Sequence, residues 1–266
     1  MTTRRTRSWL GMVALTALLA MTAGCLSHTQ STTPTPNAVS PLHDSRQLVL
    51  VVSKDWDATT ATLQRYTCSG AGQGWTPVGE AIPVNIGRTG LAWGLGLHHG
   101  TGLAGPVKHE GDGKAPAGAF DLPRAFGYAT AQDVKGVKLP YLQLTPEVVG
   151  VDDVKSKYYN QIIRMDQVPT KDWDSAETMR RTDGLYEWGV LVSHNTAAPA
   201  PGAGSCIFLH IWRGPGKPTA GCTAMCKENM QKLLTWLDPQ AKPVLVQLPQ
   251  TAYRQLTAAW GLPQAD

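Results

Sequence analysis

Two side chains that could together make and break an acyl bond lie twelve positions apart in residues 204–225 (GSCIFLHIWRGPGKPTAGCTAM): the imidazole of His210 and the thiol of Cys222. A thiolate attacks a carbonyl carbon, and a neighbouring imidazole takes the thiol proton and later gives a proton to the leaving amine. Residues 206–212 (CIFLHIW) form an aromatic and β-branched run, as expected of a buried strand, and His210 is the polar exception within it. Residues 213–218 (RGPGKP) hold two glycines and two prolines, so the chain turns there and can return Cys222 to the strand that carries His210.

Downstream of Cys222, the residues Met230, Leu233, Leu234 and Leu237 fall at helical spacing, which predicts a helix over 227–237 and places the thiol near its N-terminus. The dipole and free amides of such a terminus favour the thiolate. Gly221 lets the backbone approach a substrate closely, so that nearby amides can hold an oxyanion. Arg213 can receive a substrate carboxylate, His194 ends the strand-like run 190–195 (VLVSHN) and can face a cleft, and Thr219 lies in the turn; these three are the candidate substrate contacts. The competing reading makes Cys222 a small core residue and His210 a hydrogen-bonded core histidine.

The stretch resembles the catalytic motif of the L,D-transpeptidase (YkuD-type) family, in which a His and a downstream Gly-Cys act on peptidoglycan stem peptides. Residues 108–120 (KHEGDGKAPAGAF) are similar to that family's glycine-rich segment. Residues 151–160 (VDDVKSKYYN), 173–179 (WDSAETM) and 193–195 (SHN) look like one branch of it, and the resemblance spans about 48–249. It implies a mostly-β fold, an L,D-transpeptidase-like β-sandwich or barrel with a few short helices. It also implies a thioester acyl-enzyme at Cys222 and no metal or nucleotide cofactor. Its acceptor would be an amine of a second stem peptide or of an envelope protein.

The chain departs from the commoner family pattern at Ala220, where many members carry a second His, and at Ala224, where Arg or Asn is frequent. Both changes spare the nucleophile and base while removing groups that could bind the acyl group or acceptor. Hydrolysis, as an L,D-type peptidase, therefore stands beside transfer, and a catalytically silent wall-binding lipoprotein is the rival from another class.

The elements that must position this pair are short. Apolar β-rich runs predict strands at 47–52, 59–67, 81–87, 141–144, 186–192, 206–212 and 244–248, the first two as a hairpin. Helices are expected at 175–181, 227–237 and 251–260, the last stopped by Gly261 and Pro263. The nine glycines within 87–113 match no phosphate-loop pattern and are expected to shape a cleft. His98, His99 and His109 lack a ligand spacing and are expected on exposed loops. Trp212 and Tyr158 are aromatic candidates for the groove or the core.

The 266 residues are 42% apolar and 17% charged, a globular composition sufficient for one sizeable domain. The net charge of +4 draws on Arg4, Arg5 and Arg7, and no basic cluster elsewhere suggests a nucleic-acid partner. Residues 1–24 have a basic start, an apolar core and small residues before Cys25, an export signal too short to span a bilayer. Thr22-Ala23-Gly24-Cys25 resembles a bacterial lipobox, so Cys25 is the expected lipid anchor to the membrane. The expected organisation is a signal peptide at 1–24, a polar Pro-containing tether at 25–46, a catalytic domain at 47–249 and a C-terminal helix and tail at 250–266. The expected location is periplasmic or facing the cell wall. Cys68, Cys206 and Cys226 remain, enough for at most one disulfide; a zinc site using Cys206, His210, Cys222 and Cys226 lacks a CxxC pair.

Overall fold

The computed structural model describes residues 40–70, 74–98 and 100–264; the predicted signal peptide, Cys25 and His99 lie outside them. Among the described residues, fourteen strands and two α-helices make a mostly-β fold. In chain order they are β1 (Gln47–Ser53), β2 (Thr60–Thr67), β3 (Thr76–Asn85), β4 (Leu91–Trp93), β5 (Ala115–Asp121), β6 (Ala125–Gly127) and β7 (Tyr141–Gln143). Then follow β8 (Val148–Val151), β9 (Gln161–Arg164), β10 (Ala176–Thr178), β11 (Trp188–Leu191), β12 (Phe208–Ile211), β13 (Thr223–Met225), α1 (Lys227–Trp236), β14 (Val244–Pro249) and α2 (Gln250–Trp260).

Eleven strands form one mixed sheet in the order β4-β5-β14-β1-β2-β3-β13-β12-β11-β6-β7, and β10-β8-β9 form a second. β1 (QLVLVVS) is an interior strand between β14 and β2, and its continuous apolar run is buried on both faces. Strand alternation then divides it. Val49 and Val51 enter a core with Met230, Leu233 and Leu234 of α1, whereas Leu48 and Leu50 enter another with Ala252, Tyr253, Leu256 and Trp260 of α2. Leu91 and Ala115, from one end of the large sheet, share the first core with Ala125 and Val190 from the other end, so the sheet curls on itself.

Four expectations are corrected. Residues 175–181 are not helical: Ala176–Thr178 pairs antiparallel with Val149–Val151, a pairing that overrides the helical propensity of the run. Residues 40–46, assigned to the tether, belong to the folded body, since Leu42 is buried beside α2 and Ser40 Oγ donates to Trp260 O at 2.6 Å. His98 is not an exposed loop residue; its Nδ1 accepts from the Ala119 amide at 3.1 Å and its ring packs against Trp93, Phe120 and Trp260. The glycines of 87–113 mainly allow close packing rather than shaping a cleft. Gly90, at φ 87°, lies where a Cβ would come within 2.0 Å of Trp56 O.

Candidate active site

β12 carries His210 between two small neighbours, with Gly189 opposite it on β11 and Ala224 on β13. The turn after β12 is tied down by Asn85, whose Nδ2 donates to Gly214 O at 2.8 Å and Lys217 O at 3.0 Å while its Oδ1 accepts from the Gly216 amide. The Thr219 amide then reaches Ile86 O at 3.0 Å. The chain so returned runs into β13, parallel to β12, and Cys222 arrives beside Phe208, whose amide donates to Cys222 Sγ at 3.3 Å. Cys222 Sγ in turn donates to Cys206 O at 3.7 Å.

Cys222 and His210 line one cavity of about 680 Å³. The Nδ1 of His210 lies 2.7 Å from Ile211 O. A carbonyl can only accept, so Nδ1 carries the proton and Nε2 keeps its lone pair in the neutral ring. Burial pulls His210 down to about 4 and pushes the Cys222 thiol up to about 12, with the Glu177 carboxylate adding to the rise at sulfur. The resting pair is therefore thiol and imidazole. This corrects the expected thiolate, and the cause is positional: β13 intervenes, so α1 is capped at Cys226 and its dipole acts there rather than at Cys222.

The other predicted site residues divide. Gly221 and Thr219 line the cavity, but Thr219 Oγ1 accepts the Gly221 amide at 3.1 Å and donates to Cys222 O at 2.6 Å. Thr219 thus braces the turn that presents the thiol, and the Gly221 amide is engaged there rather than free for an oxyanion. Arg213 is exposed at the cavity rim, with Trp212 near it. His194 is not a cavity residue. It is 1% exposed, its Nδ1 accepts from the Leu95 amide at 3.2 Å and its Nε2–H donates to Ala203 O at 3.0 Å, so it ties three loops together. Tyr158 packs on Trp173 and faces a different hollow.

Sequence reasoning missed several cavity residues. Glu110 accepts from Tyr159 Oη at 2.5 Å and Ser205 Oγ at 2.8 Å, and buried Lys108 donates to Asp112 at 2.6 Å. Glu177 and Arg181 lie within 3.6 Å of each other, and Tyr186 Oη donates to Glu177 Oε1 at 2.5 Å. The only sequence signal for Lys108, Glu110 and Glu177 was their place inside the segments 108–120 and 173–179. With Arg88, Arg213, Lys217 and Asp152 also on its walls, the cavity offers both cationic and anionic contacts.

Among the described residues, Cys68, Cys206, Cys222 and Cys226 are free thiols, and no group of three or more His, Cys, Asp or Glu side chains is arranged to hold a metal. No helix among the described residues is long and apolar enough to cross a membrane. Comparison of the chain with protein families, with curated proteins and with solved structures finds no match.

Proposed function

We propose that this protein is a cysteine acyltransferase of the L,D-transpeptidase kind, acting on peptidoglycan stem peptides. The observation that carries the reading is the pairing, on one cavity, of the Cys222 thiol with a His210 ring whose Nδ1–H is held by Ile211 O and whose Nε2 is therefore a base. As the sulfur attacks the peptide carbonyl, Nε2 takes the thiol proton. It returns that proton to the leaving amine as the C–N bond breaks and the thioester remains. An acceptor amine, or water, then attacks the thioester carbonyl and gives its proton to Nε2, which passes it to the Cys222 sulfur as the C–S bond breaks. The mixed charge of the cavity suits a peptide bearing both carboxylates and ammonium groups.

Hydrolysis is the second reading, favoured by exposed Ala220, which presents no bulky side chain to shield that wall from water. Lipidation at Cys25 would hold the enzyme on a membrane, facing the periplasm or cell wall, within reach of an envelope protein as acyl acceptor; Cys25→Ala would then release it from the membrane fraction. Incubating the protein with purified muropeptides and weighing the products tests the activity. New crosslinks support transfer, shortened stems support hydrolysis, and muropeptides remodelled equally by folded Cys222→Ala protein would overturn both.

A further inference from the structure

We infer that Tyr186, clamped by Glu177, is a positioning residue for the base His210, a role that rests on the thioester reading of the site. His210 is anchored at one atom, Nδ1 on Ile211 O, and a ring held at a single point can still tilt about it. The second restraint is aromatic. The Tyr186 ring meets the imidazole edge to face, with centroids 5.1 Å apart and planes at 72°. Tyr186 is itself fixed: it is 4% exposed, packs against Phe126 and Phe208 at centroid distances of 5.7 and 5.5 Å, and donates its phenol proton to Glu177 Oε1 at 2.5 Å. A ring gripped at both its face and its hydroxyl has little freedom, and it passes that order to the imidazole.

The clamp also joins the two sheets at the reacting centre. Glu177 belongs to β10 of the small sheet, and His210 belongs to β12 of the large one. Arg181 also reaches Glu177, with Nη1 3.6 Å from the same Oε1, and lies over the Tyr186 ring at 5.2 Å. Asp183 fixes Arg181 in turn through a 2.5 Å contact. Glu177 and Tyr186 lie nine positions apart in sequence, and Tyr186 alone touches the base, through its ring.

The test reads Cys222 chemistry without peptidoglycan. The rate of carboxamidomethylation of Cys222 by iodoacetamide, followed by intact mass, is measured for Tyr186→Phe, Glu177→Ala and Glu177→Gln, each also in a His210→Ala background. Tyr186→Phe keeps the ring but frees it from Glu177, and misplacing a base by a fraction of an ångström should slow the reaction on the order of 10-fold. Glu177→Ala and Glu177→Gln remove the same charge from near the thiol, so they are compared with each other: Glu177→Gln, which retains an acceptor oxygen for Tyr186, should react several-fold faster than Glu177→Ala. In the His210→Ala background Tyr186→Phe should have no further effect, and Glu177→Ala and Glu177→Gln, which both remove the carboxylate that raises the thiol, should react at the same rate as each other, the non-additivity expected of residues acting through one group. Equal slowing with and without His210, or full rate in a folded Tyr186→Phe protein, would overturn the inference. Muropeptide turnover, run in parallel, separates the two proposals. Coupling in alkylation with no turnover by the wild type sinks the peptidoglycan reading alone, and turnover with no coupling sinks the positioning role alone.

Discussion

His210 Nδ1–H donates to the carbonyl of Ile211, the next residue in the chain, at 2.7 Å, so the base is oriented by backbone and not by a carboxylate. A carbonyl fixes the tautomer without adding a charge, and burial keeps the ring neutral. All basicity then falls on Nε2. Replacing His210 by Ala should slow acylation of Cys222 by about 100-fold or more while the fold survives, the scale for losing a general acid-base. Time-resolved intact mass checks this, and an unchanged rate in the folded variant would remove His210 from the mechanism.

The neutral resting pair predicts a pH signature. With the thiol pushed up to about 12 and the imidazole pulled down to about 4, the thiol and imidazole forms coexist across the whole interval between them. Base-assisted alkylation of Cys222 should therefore be nearly flat with pH above about 4 until free thiolate forms in strongly alkaline solution. In His210→Ala the flat region should vanish and the rate should climb with pH throughout. The thiolate ultraviolet absorbance, taken as wild type minus Cys222→Ala, should be absent at neutral pH; a full thiolate signal there would show a resting ion pair instead.

How much of this was readable from residues alone depended on where the stabilising partners lie. The apolar runs that became β1, β12 and β14 and the spacing that became α1 carry their own signal, because burial writes itself into side-chain period. The glycine and proline turn foretold the return of Cys222, and it did occur. By contrast β13 (TAM) is three residues long and exists through its parallel partner β12, so nothing local announced the strand that separates Cys222 from the helix. β10 was hidden for the same reason. Asn85 and Glu177 act on groups 129 and 9 residues away, and their amide and carboxylate look like any surface polar group until the chain is folded. The mistaken role of His194 came from its place at a strand end, where only the loops around residues 95 and 203 turn it inward.

His194 should make the protein acid-sensitive. Burial lowers its folded value to about 4 from 6.5, so between these limits the unfolded chain binds more protons than the native one. Stability is then complete above the unfolded value and falls as pH drops toward 4, by about 3 kcal/mol at one pKa unit per 1.4 kcal/mol. Buried His210 acts with the same sign. His194→Gln can keep an acceptor for Leu95 and a donor for Ala203 but cannot titrate, so its Tm at pH 7 should change little and its acid limb should be shallower. Parallel Tm curves for the two proteins between pH 7 and 4.5 would refute the assignment.

Asn160 holds together the backbone that flanks the nucleophile. Its Nδ2 donates to His194 O at 2.9 Å and Asn195 O at 2.7 Å, and its Oδ1 accepts the Cys206 amide at 2.9 Å. Both Asn160 and Cys206 are left-handed, at φ 62° and 53°, a conformation that costs a non-glycine residue about 1 kcal/mol or more. The Cys206 carbonyl that accepts from Cys222 Sγ belongs to this same strained residue, so the side chain of Asn160 holds a bend that touches the thiol. Asn160→Ala loses all three bonds while keeping an unfavourable φ, and should destabilise the fold by about 2–4 kcal/mol, at about 1 kcal/mol per bond with an added cost for the orphaned Cys206 amide. Asn160→Gly loses the same bonds but adopts the left-handed φ freely, so it should be the more stable of the two in urea melts. Both should slow alkylation of Cys222 relative to wild type. If Asn160→Gly proved as reactive and as stable as wild type, the three hydrogen bonds would be incidental, and the bend at Cys206 would have to be held by something else.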